Sequence, residues 1–265
     1  MAAAPESSLA PRGRVTALGQ ATARLLFDPV LALVFPSPCP GCGGSVDRPT
    51  RGPLCDACWT ALPRHRGTPC ACGFPLPAGV SAPCGRCRRG LGPFTRGASL
   101  GPYEGTLRVL VHELKFRGRR RIAGRLAEML SAAPGVEAVL SAGPALAGAP
   151  VLVPVPLHPH RLRERGFNQS ALLAQAVAET RGLRVVEGAL TRREHTPPQT
   201  GLSAAQRRAN VARAFVVRRR APVTGRIVVL VDDVLTTGAT ARACARALLA
   251  SGAAEVRLLT AARVG

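Results

Sequence analysis

Eight of the nine cysteines in this chain lie between residues 39 and 87, in four tight pairs: CPGC (Cys39, Cys42), CDAC (Cys55, Cys58), CAC (Cys70, Cys72) and CGRC (Cys84, Cys87). A C-x2-C turn delivers two thiolates from one knuckle, and a tetrahedral zinc ion needs two such knuckles. The first two pairs stand 12 residues apart and the last two 11, spacings that close one site each. Glycine or proline beside several of these cysteines suits the turns. Disulfides belong to secreted chains, and the N-terminus shows no export signal: the apolar run Val30 to Phe35 is too short for a signal core or a bilayer span. A redox dithiol belongs in a βαβ setting, and this segment has almost no apolar periodicity. Two structural zinc ions are expected. Pairing the first four cysteines and then the last four is the simpler arrangement; the spacing leaves an interleaved one open.

Few large apolar residues lie between 36 and 92, so metal binding is expected to supply most of the folding free energy there. Structural sites are closed, which argues against zinc catalysis. The arginines of this segment and Trp59 offer charge and stacking to a nucleic-acid strand; the plainer expectation for Trp59 is a plug for a small core. Cys244 stands alone in the helical run ARACARALLA and reads as a small buried apolar residue. Before the ribbon, residues 1–35 form a leader with a short amphipathic helix over Arg14 to Phe27, its apolar side carrying Leu18, Leu25 and Leu26. A cytoplasmic protein without a transmembrane segment follows.

From about residue 93 the pattern becomes strands alternating with helices. Strands are expected at Ala98–Tyr103, Val151–Leu157, Arg184–Val186, Phe215–Val217, Ile227–Val231 and Val256–Thr260. Helices are expected through Leu107 to Leu114, Ile122 to Leu130, Gln169 to Glu179, and from the loop after Asp233 to about Leu249. This alternation predicts an α/β fold with a mostly parallel sheet and helices on both faces. Ligands of such sheets bind at the C-terminal ends of the strands.

One such end is VVLVDDVLTTGATA (Val228 to Ala241), where a buried strand runs into Asp232 and Asp233 and then a small, hydroxyl-rich loop. The loop Val234, Leu235, Thr236, Thr237, Gly238, Ala239 and Thr240 offers backbone N–H groups and hydroxyls at a helix start, a cradle for phosphate. The two acids repel phosphate, so the expected ligand has two ends, phosphate in the loop and hydroxyls or a metal ion at the acids. No G-x4-G-K-[ST] exists, which excludes a Walker-type loop. A sugar phosphate fits best.

Charge agrees with an anionic partner. The net charge is +21, with 36 basic against 15 acidic residues, and all the basic residues are arginine except Lys115. Such a surface favours phosphorylated ligands and nucleic acid. A lone lysine in an arginine-rich chain is itself a candidate functional residue.

VVLVDDVLTTGAT resembles the 5-phosphoribosyl-1-pyrophosphate (PRPP) loop of type I phosphoribosyltransferases. The stretches PVPLHPHRLRERGFNQS (Pro154 to Ser170) and LTRREHTPPQTGLSAAQRRANVARAF (Leu190 to Phe215) resemble the ComF family, as does a cysteine ribbon placed before a transferase-like domain. The resemblance runs from about Phe35 to the C-terminus. It implies a type I phosphoribosyltransferase fold at 93–265 preceded by a double zinc ribbon at 36–92. It also implies that Asp232 and Asp233 meet the ribose hydroxyls, that the loop through Thr240 holds the 5′-phosphate, and that Mg²⁺ accompanies PRPP. Val155, Pro156, Leu157 and His158 correspond to a pyrophosphate loop. Arg163, Arg165, Gly166, Phe167, Asn168 and Gln169 form the RGFNQ feature at a helix start. A hood over about 191–213 carries Thr196, Gln199, Arg207 and Asn210 at the family's positions, and Lys115 in ELKFRG matches a lysine of the family. For Arg207 and Arg208 a solvated helix face is an equal expectation, and His195 is expected to be a surface residue. The implied reaction displaces pyrophosphate at the anomeric carbon. The implied setting is DNA uptake and handling of incoming single strands in competence, with single-stranded DNA and the uptake machinery as partners. A non-catalytic protein that senses PRPP or a nucleotide and binds single-stranded DNA is the alternative. No stretch specifies an acceptor.

Overall fold

The run IVVLV has no polar face, so it must be covered on both sides and paired on both edges. A computed structural model of the chain describes residues 32, 37–66, 69–73, 75–76, 80, 82–88, 92–117, 120–143, 148–192 and 214–264. Among these residues the strands of the main sheet are β1 (Arg96–Pro102), β2 (Val151–Pro154), β3 (Arg184–Val185), β6 (Ile227–Leu235) and β7 (Glu255–Arg263). Their order is β1-β7-β6-β2-β3 and every neighbouring pair is parallel. Val229 and Val231 of β6 face a core built from α3 (Gly105–Arg117), α4 (Arg120–Ser131), α5 (Val136–Leu140) and α7 (Gln169–Arg181). Val228 and Leu230 face the opposite core, under α8 (Ala239–Ala250). Helices therefore cover both faces, as the unbroken apolar run requires. Cys244 is fully buried in α8.

Several elements differ from expectation. β6 does not end at Val231 but continues through both acids, because Asp232, Val234 and Leu235 keep register with Thr260, Ala262 and Arg263 of an equally long β7. β2 is shorter than VLVPVPL suggests: Pro154 and Pro156 have no N–H to give a ladder, and only Val155 adds a further bond, to the Val231 carbonyl at 2.9 Å. Phe215–Val217 (β5) stays out of the main sheet and pairs antiparallel with Leu190–Arg192 (β4), a strand that period-2 alternation over three residues cannot announce. The stretch 131–150 holds α5, started by Gly135 in the left-handed region (φ 79°). Its last turn is capped by the buried Arg257, whose guanidinium donates to the carbonyls of Ala138, Val139 and Ser141 and pairs with Glu255. The helix expected at Arg14–Phe27 and the hood residues 193–213 lie outside the described residues.

The cysteine segment is two copies of one small unit. In each, a turn closed by a glycine at positive φ (Gly43 at 76°, Gly73 at 72°) presents the first cysteine pair. The second pair sits at the start of a short helix, α1 (Asp56–Thr60) or α2 (Gly85–Arg88). Apolar burial contributes more than the composition suggests. Val46, Leu54, Trp59 and Leu62 join the same core as Leu107, Leu110 and Leu126, so the ribbon is anchored by hydrophobic contact as well as by its thiols. Trp59 is 2% exposed beneath the Arg125 guanidinium, 4.1 Å from its ring. It is a core residue and offers no face to a nucleic-acid base.

The segment joining the two cysteine units also covers the outer edge of β1, which otherwise presents unpaired backbone groups. The His65 N–H donates to the Leu100 carbonyl at 2.9 Å, and the Gly97 N–H donates to the Ala71 carbonyl at 2.7 Å. Glycine is required for this approach: a Cβ on Gly101 would lie 2.1 Å from the Pro63 carbonyl oxygen, and one on Gly97 2.8 Å from that of Cys72. The obstruction is backbone and cannot rotate away. Gly101→Ala is expected to lower stability by about 1–3 kcal/mol, the usual overpacking range, read as a drop in thermal midpoint. An unchanged midpoint would show that the ribbon does not clasp this edge.

Candidate functional site

All five strands of the main sheet point their C-terminal ends to one edge, and there β6 delivers its two carboxylates. The backbone fixes their immediate partners. Asp232 Oδ1 accepts from the Asp233 N–H at 2.9 Å, and Asp233 Oδ1 accepts from the Val234 N–H at 2.7 Å. Two helices supply the rest. Ser170 Oγ, in the first turn of α7, donates to Asp232 Oδ1 at 2.9 Å. Lys115 Nζ, near the end of α3, lies 3.1 Å from Asp233 Oδ2. The Lys115 side chain is 22% exposed and that of Asp233 6%, so the pair is shielded from water on the acid's side. That acid oxygen is buried and takes no well-angled hydrogen bond, so the attraction is one of charge at close range.

Crowding two carboxylates at a buried strand end has an electrostatic consequence. Burial first, and then the neighbouring Asp233 charge, push the Asp232 carboxyl up to about 7, against the opposing pull of Ser170, the Asp233 amide and Lys115. The sequence expectation placed the acids at the site; it did not find Ser170, although RGFNQS ends on it.

The RGFNQS stretch has a structural reading residue by residue. α6 (Pro159–Arg165) ends at Gly166 in the left-handed region (φ 71°). Asn168 caps α7, its Oδ1 accepting from the Ser170 N–H at 3.0 Å, while its Nδ2 donates to the Val155 carbonyl at 3.0 Å. One side chain thus ties the loop after β2 to the helix that carries Ser170. Gln169 is buried and accepts from Arg165 at 3.3 Å. His158 accepts from the His160 N–H at 3.2 Å and caps α6. Val155, whose N–H donates to the Val231 carbonyl at 2.9 Å, fixes the start of the 155–158 loop next to the strand end. A cavity of about 520 Å³ opens next to this loop, walled by Pro156, Leu157, Asn168, Leu190 and Arg192 among others.

Beyond the acids, Val234 and Leu235 complete β6. Thr236 and Thr237 are exposed, and Gly238 turns the chain in the left-handed region (φ 73°) to start α8 with no side-chain cap. The uncapped start leaves helix amides facing out of the turn; the Ala239 N–H reaches Thr237 Oγ1 at 3.4 Å. Thr240 is half-buried in the first turn. The structure brings Lys115 and Ser170 onto the acids and pairs Val155 with Val231 just before them, while Pro156, Leu157 and Asn168 line one cavity and Thr236, Thr237 and Gly238 line another. Arg165 turns instead to Gln169 and to the ring of Phe116, 4.9 Å away. Thr196, Gln199, Arg207 and Asn210 fall outside the described residues, as does His195.

The cysteines form two separate tetrads, Cys39/Cys42/Cys55/Cys58 and Cys70/Cys72/Cys84/Cys87, with the sulfurs of each within 4.8 Å of one another. This settles the pairing as sequential. The span suits four ligands around one ion with bonds of about 2.3 Å. Burial opposes ionisation of Cys39, but the amides of Cys55, Gly41 and Cys42 outweigh it and bring the thiol down to about 6. Cys70 reaches about 6 in the same way, through the amides of Cys84 and Cys72. Burial and then the neighbouring thiols push Cys58 and Cys87 up. Backbone amides aimed at sulfur stabilise thiolate, the form that zinc takes, so the donor sets fit two structural zinc ions.

Fold and site together define a class: a double zinc ribbon joined to a phosphoribosyltransferase-fold domain. Residues 30–88 match the double zinc ribbon domain model and residues 169–265 the phosphoribosyl transferase domain model. DNA utilization protein YhgH of Salmonella typhi is 41% identical over 77% of this chain and 88% of its own. Its counterpart in Escherichia coli (strain K12) is 37% identical with the same coverage. Competence protein F of Haemophilus influenzae is 33% identical over 68% of this chain and 78% of its own. The chain belongs to the ComF family. Among the described residues, no helix is long and apolar enough to cross a membrane.

Two measurements check this geometry. Metal analysis is expected to find two zinc ions per chain, falling to one in Cys70→Ser/Cys84→Ser; a parent with fewer than two would contradict the tetrads. For the acids, the folded state holds a proton on Asp232 that the unfolded chain, with its ordinary value of 3.8, releases. The folded form therefore loses stability as pH rises from about 4 to about 7, and the loss is complete above that window. Asp232→Asn removes it, so the unliganded variant is expected to match the parent at pH 4 and to be more stable at pH 8, by about 1–2 kcal/mol. Equal thermal midpoints across that range would show that Asp232 is ionised without cost.

Proposed function

We propose that the chain binds PRPP with Mg²⁺ at the end of β6 and transfers its phosphoribosyl group to an acceptor, in a protein that handles DNA. The observation that carries the reading is the acid pair, Asp233 buried and Asp232 half-buried, held by Ser170 and Lys115 and followed within one turn by an uncapped helix start at Gly238. Two carboxylate acceptors beside a cluster of amide and hydroxyl donors match a ligand with sugar hydroxyls at one end and a phosphate at the other. In this reading Asp232 and Asp233 accept from the ribose hydroxyls. Val234 to Thr240 cradle the 5′-phosphate, and the loop 155–158 faces the pyrophosphate. Lys115 leaves Asp233 when a hydroxyl takes its place and offers its charge to the leaving group. The bond from the anomeric carbon to pyrophosphate breaks as the acceptor's lone pair forms the new one and the acceptor gives up its proton; Mg²⁺ bound with PRPP would supply positive charge at the departing pyrophosphate. Thr196, Gln199, Arg207 and Asn210, outside the described residues, are further candidates for contact with the pyrophosphate on the family resemblance. The DNA setting rests on relatives named for DNA utilization and for competence.

The test is calorimetric binding of PRPP with Mg²⁺, paired with pyrophosphate release across a panel of nucleobases and amines. Asp232→Ala/Asp233→Ala is expected to weaken binding by roughly 3 kcal/mol, on the order of 100-fold in Kd. Binding with no release for any acceptor would replace the transferase with a PRPP-sensing, strand-binding protein. No binding at all would overturn both.

A further inference from the structure

Large apolar side chains that stay in water are uncommon enough in this protein to be examined singly, and one stands at the site's lip. Phe116 is 59% exposed, the highest value for a large apolar side chain among the described residues. The other described aromatic residues, Trp59, Phe94, Tyr103, Phe167 and Phe215, are buried or half-buried. Phe116 is not loose at the surface. One turn earlier on α3, His112 places its ring centre 4.5 Å away at a 38° tilt. From α6, the Arg165 guanidinium carbon lies 4.9 Å from the Phe116 ring centre. Three flat groups from two helices thus form one short stack.

Its position is set by the acid pair. Lys115, the residue before Phe116, is the one that reaches Asp233, and Arg165 is held by Gln169, the residue before Ser170, which reaches Asp232. The stack therefore sits immediately outside the candidate site, on the two arms that hold its carboxylates. An exposed ring with a guanidinium over it and an imidazole tilted against it is poorly suited to burial against an apolar protein face, because the cationic group would lose its water. It is well suited to a flat heterocycle on an anionic chain: bases stack on aromatic rings and on guanidinium planes, while phosphates meet the nearby charge. α6 carries Arg161 and Arg163 besides Arg165 within seven residues, against the single acid Glu164. A duplex keeps its base faces to itself, so only an unpaired strand can use such a platform.

We propose that His112, Phe116 and Arg165 form a base-stacking platform for single-stranded nucleic acid at the mouth of the β6 site. The inference deepens the DNA-handling half of the reading above and does not depend on the phosphoribosyl half. The experiment measures binding of labelled oligo(dT) and of an abasic strand of equal length to the full chain, across a salt series, with PRPP binding followed in the same variants. The parent is expected to prefer oligo(dT) over the abasic strand. Phe116→Ala and Phe116→Leu are expected to weaken oligo(dT) binding on the order of tenfold and to remove that preference. The slope of affinity against salt stays unchanged, because no phosphate contact is lost. Phe116→Trp restores binding, and PRPP binding is unaffected in all three. Parent affinity in Phe116→Ala, rescue by the apolar but non-aromatic leucine, or a parent indifferent to the presence of bases would each overturn the platform. Failure of PRPP to bind the parent would instead count against the phosphoribosyl reading and leave this result standing.

Discussion

Everything at the candidate site depends on the parallel pairing of β6 with β2 on one side and β7 on the other. Two-sided pairing and two-sided burial leave that strand no freedom of register, since a one-residue slip would exchange Val229 and Val231 for Val228 and Leu230 between unlike cores. The strand's C-terminal end is therefore a fixed point. The long partner β7 holds the backbone extended past Val231, so Asp232 and Asp233 stand on a strand rather than in a loop. At that strand end Ser170 of α7 meets one acid and Lys115 of α3 the other, both from helices on the side of the sheet that Val229 and Val231 line.

The zinc ribbon belongs to the same construction. Its apolar residues enter the core under α3 and α4, and its connecting segment hydrogen-bonds along β1 at the sheet's outer edge. Arg263, at the end of β7, donates to the Cys72 carbonyl at 2.9 Å, so the second cysteine unit touches the strand end directly next to Leu235. Metal ligation at the two tetrads thus orders a segment that closes the sheet, and closing the sheet restrains the strands that carry the site. The ribbon's small core is not self-sufficient; it is completed by the larger domain.

Long, strongly patterned elements were legible in the sequence, and the reason is physical. An apolar run with no polar face has one solution, and cysteine pairs at knuckle spacing have nearly one. The strands at Ile227 and Val256, the helices at Gln169 and Ala239, and the cysteine knuckles follow from local pattern alone, while the pairing of the knuckles into tetrads needed the structure. What was not legible depended on partners distant in the chain. The extra length of β6 is set by β7, the β4–β5 pairing by a contact across the hood, and α5 by Arg257, which caps it from a strand more than 100 residues later. At the site, the acids and the loop could be read because one strand-to-helix turn carries them. Ser170 could not be assigned, because a serine in a helix's first turn looks like a cap until the neighbouring strand places a carboxylate 2.9 Å from it. For Trp59 the plainer expectation of a core plug holds, and its burial removes the stacking alternative.

The single lysine can now be given a physical reason. Asp233 Oδ1 is committed to the Val234 amide, which leaves Oδ2 as the one acceptor available to a cation from α3. An arginine in place of Lys115 would bring five donors in a rigid fork to that single oxygen, at a position where the carboxylate side is closed to water. Each buried donor left over costs on the order of 1–3 kcal/mol. An ammonium has three donors on a flexible stem, and on a side chain that is 22% exposed it can turn some of them to water while the charge still faces the acid. In a chain that uses arginine at every other basic position, geometry alone is sufficient to select lysine here. The same geometry makes the contact easy to release, because a point charge held by one oxygen has no second hydrogen bond to break.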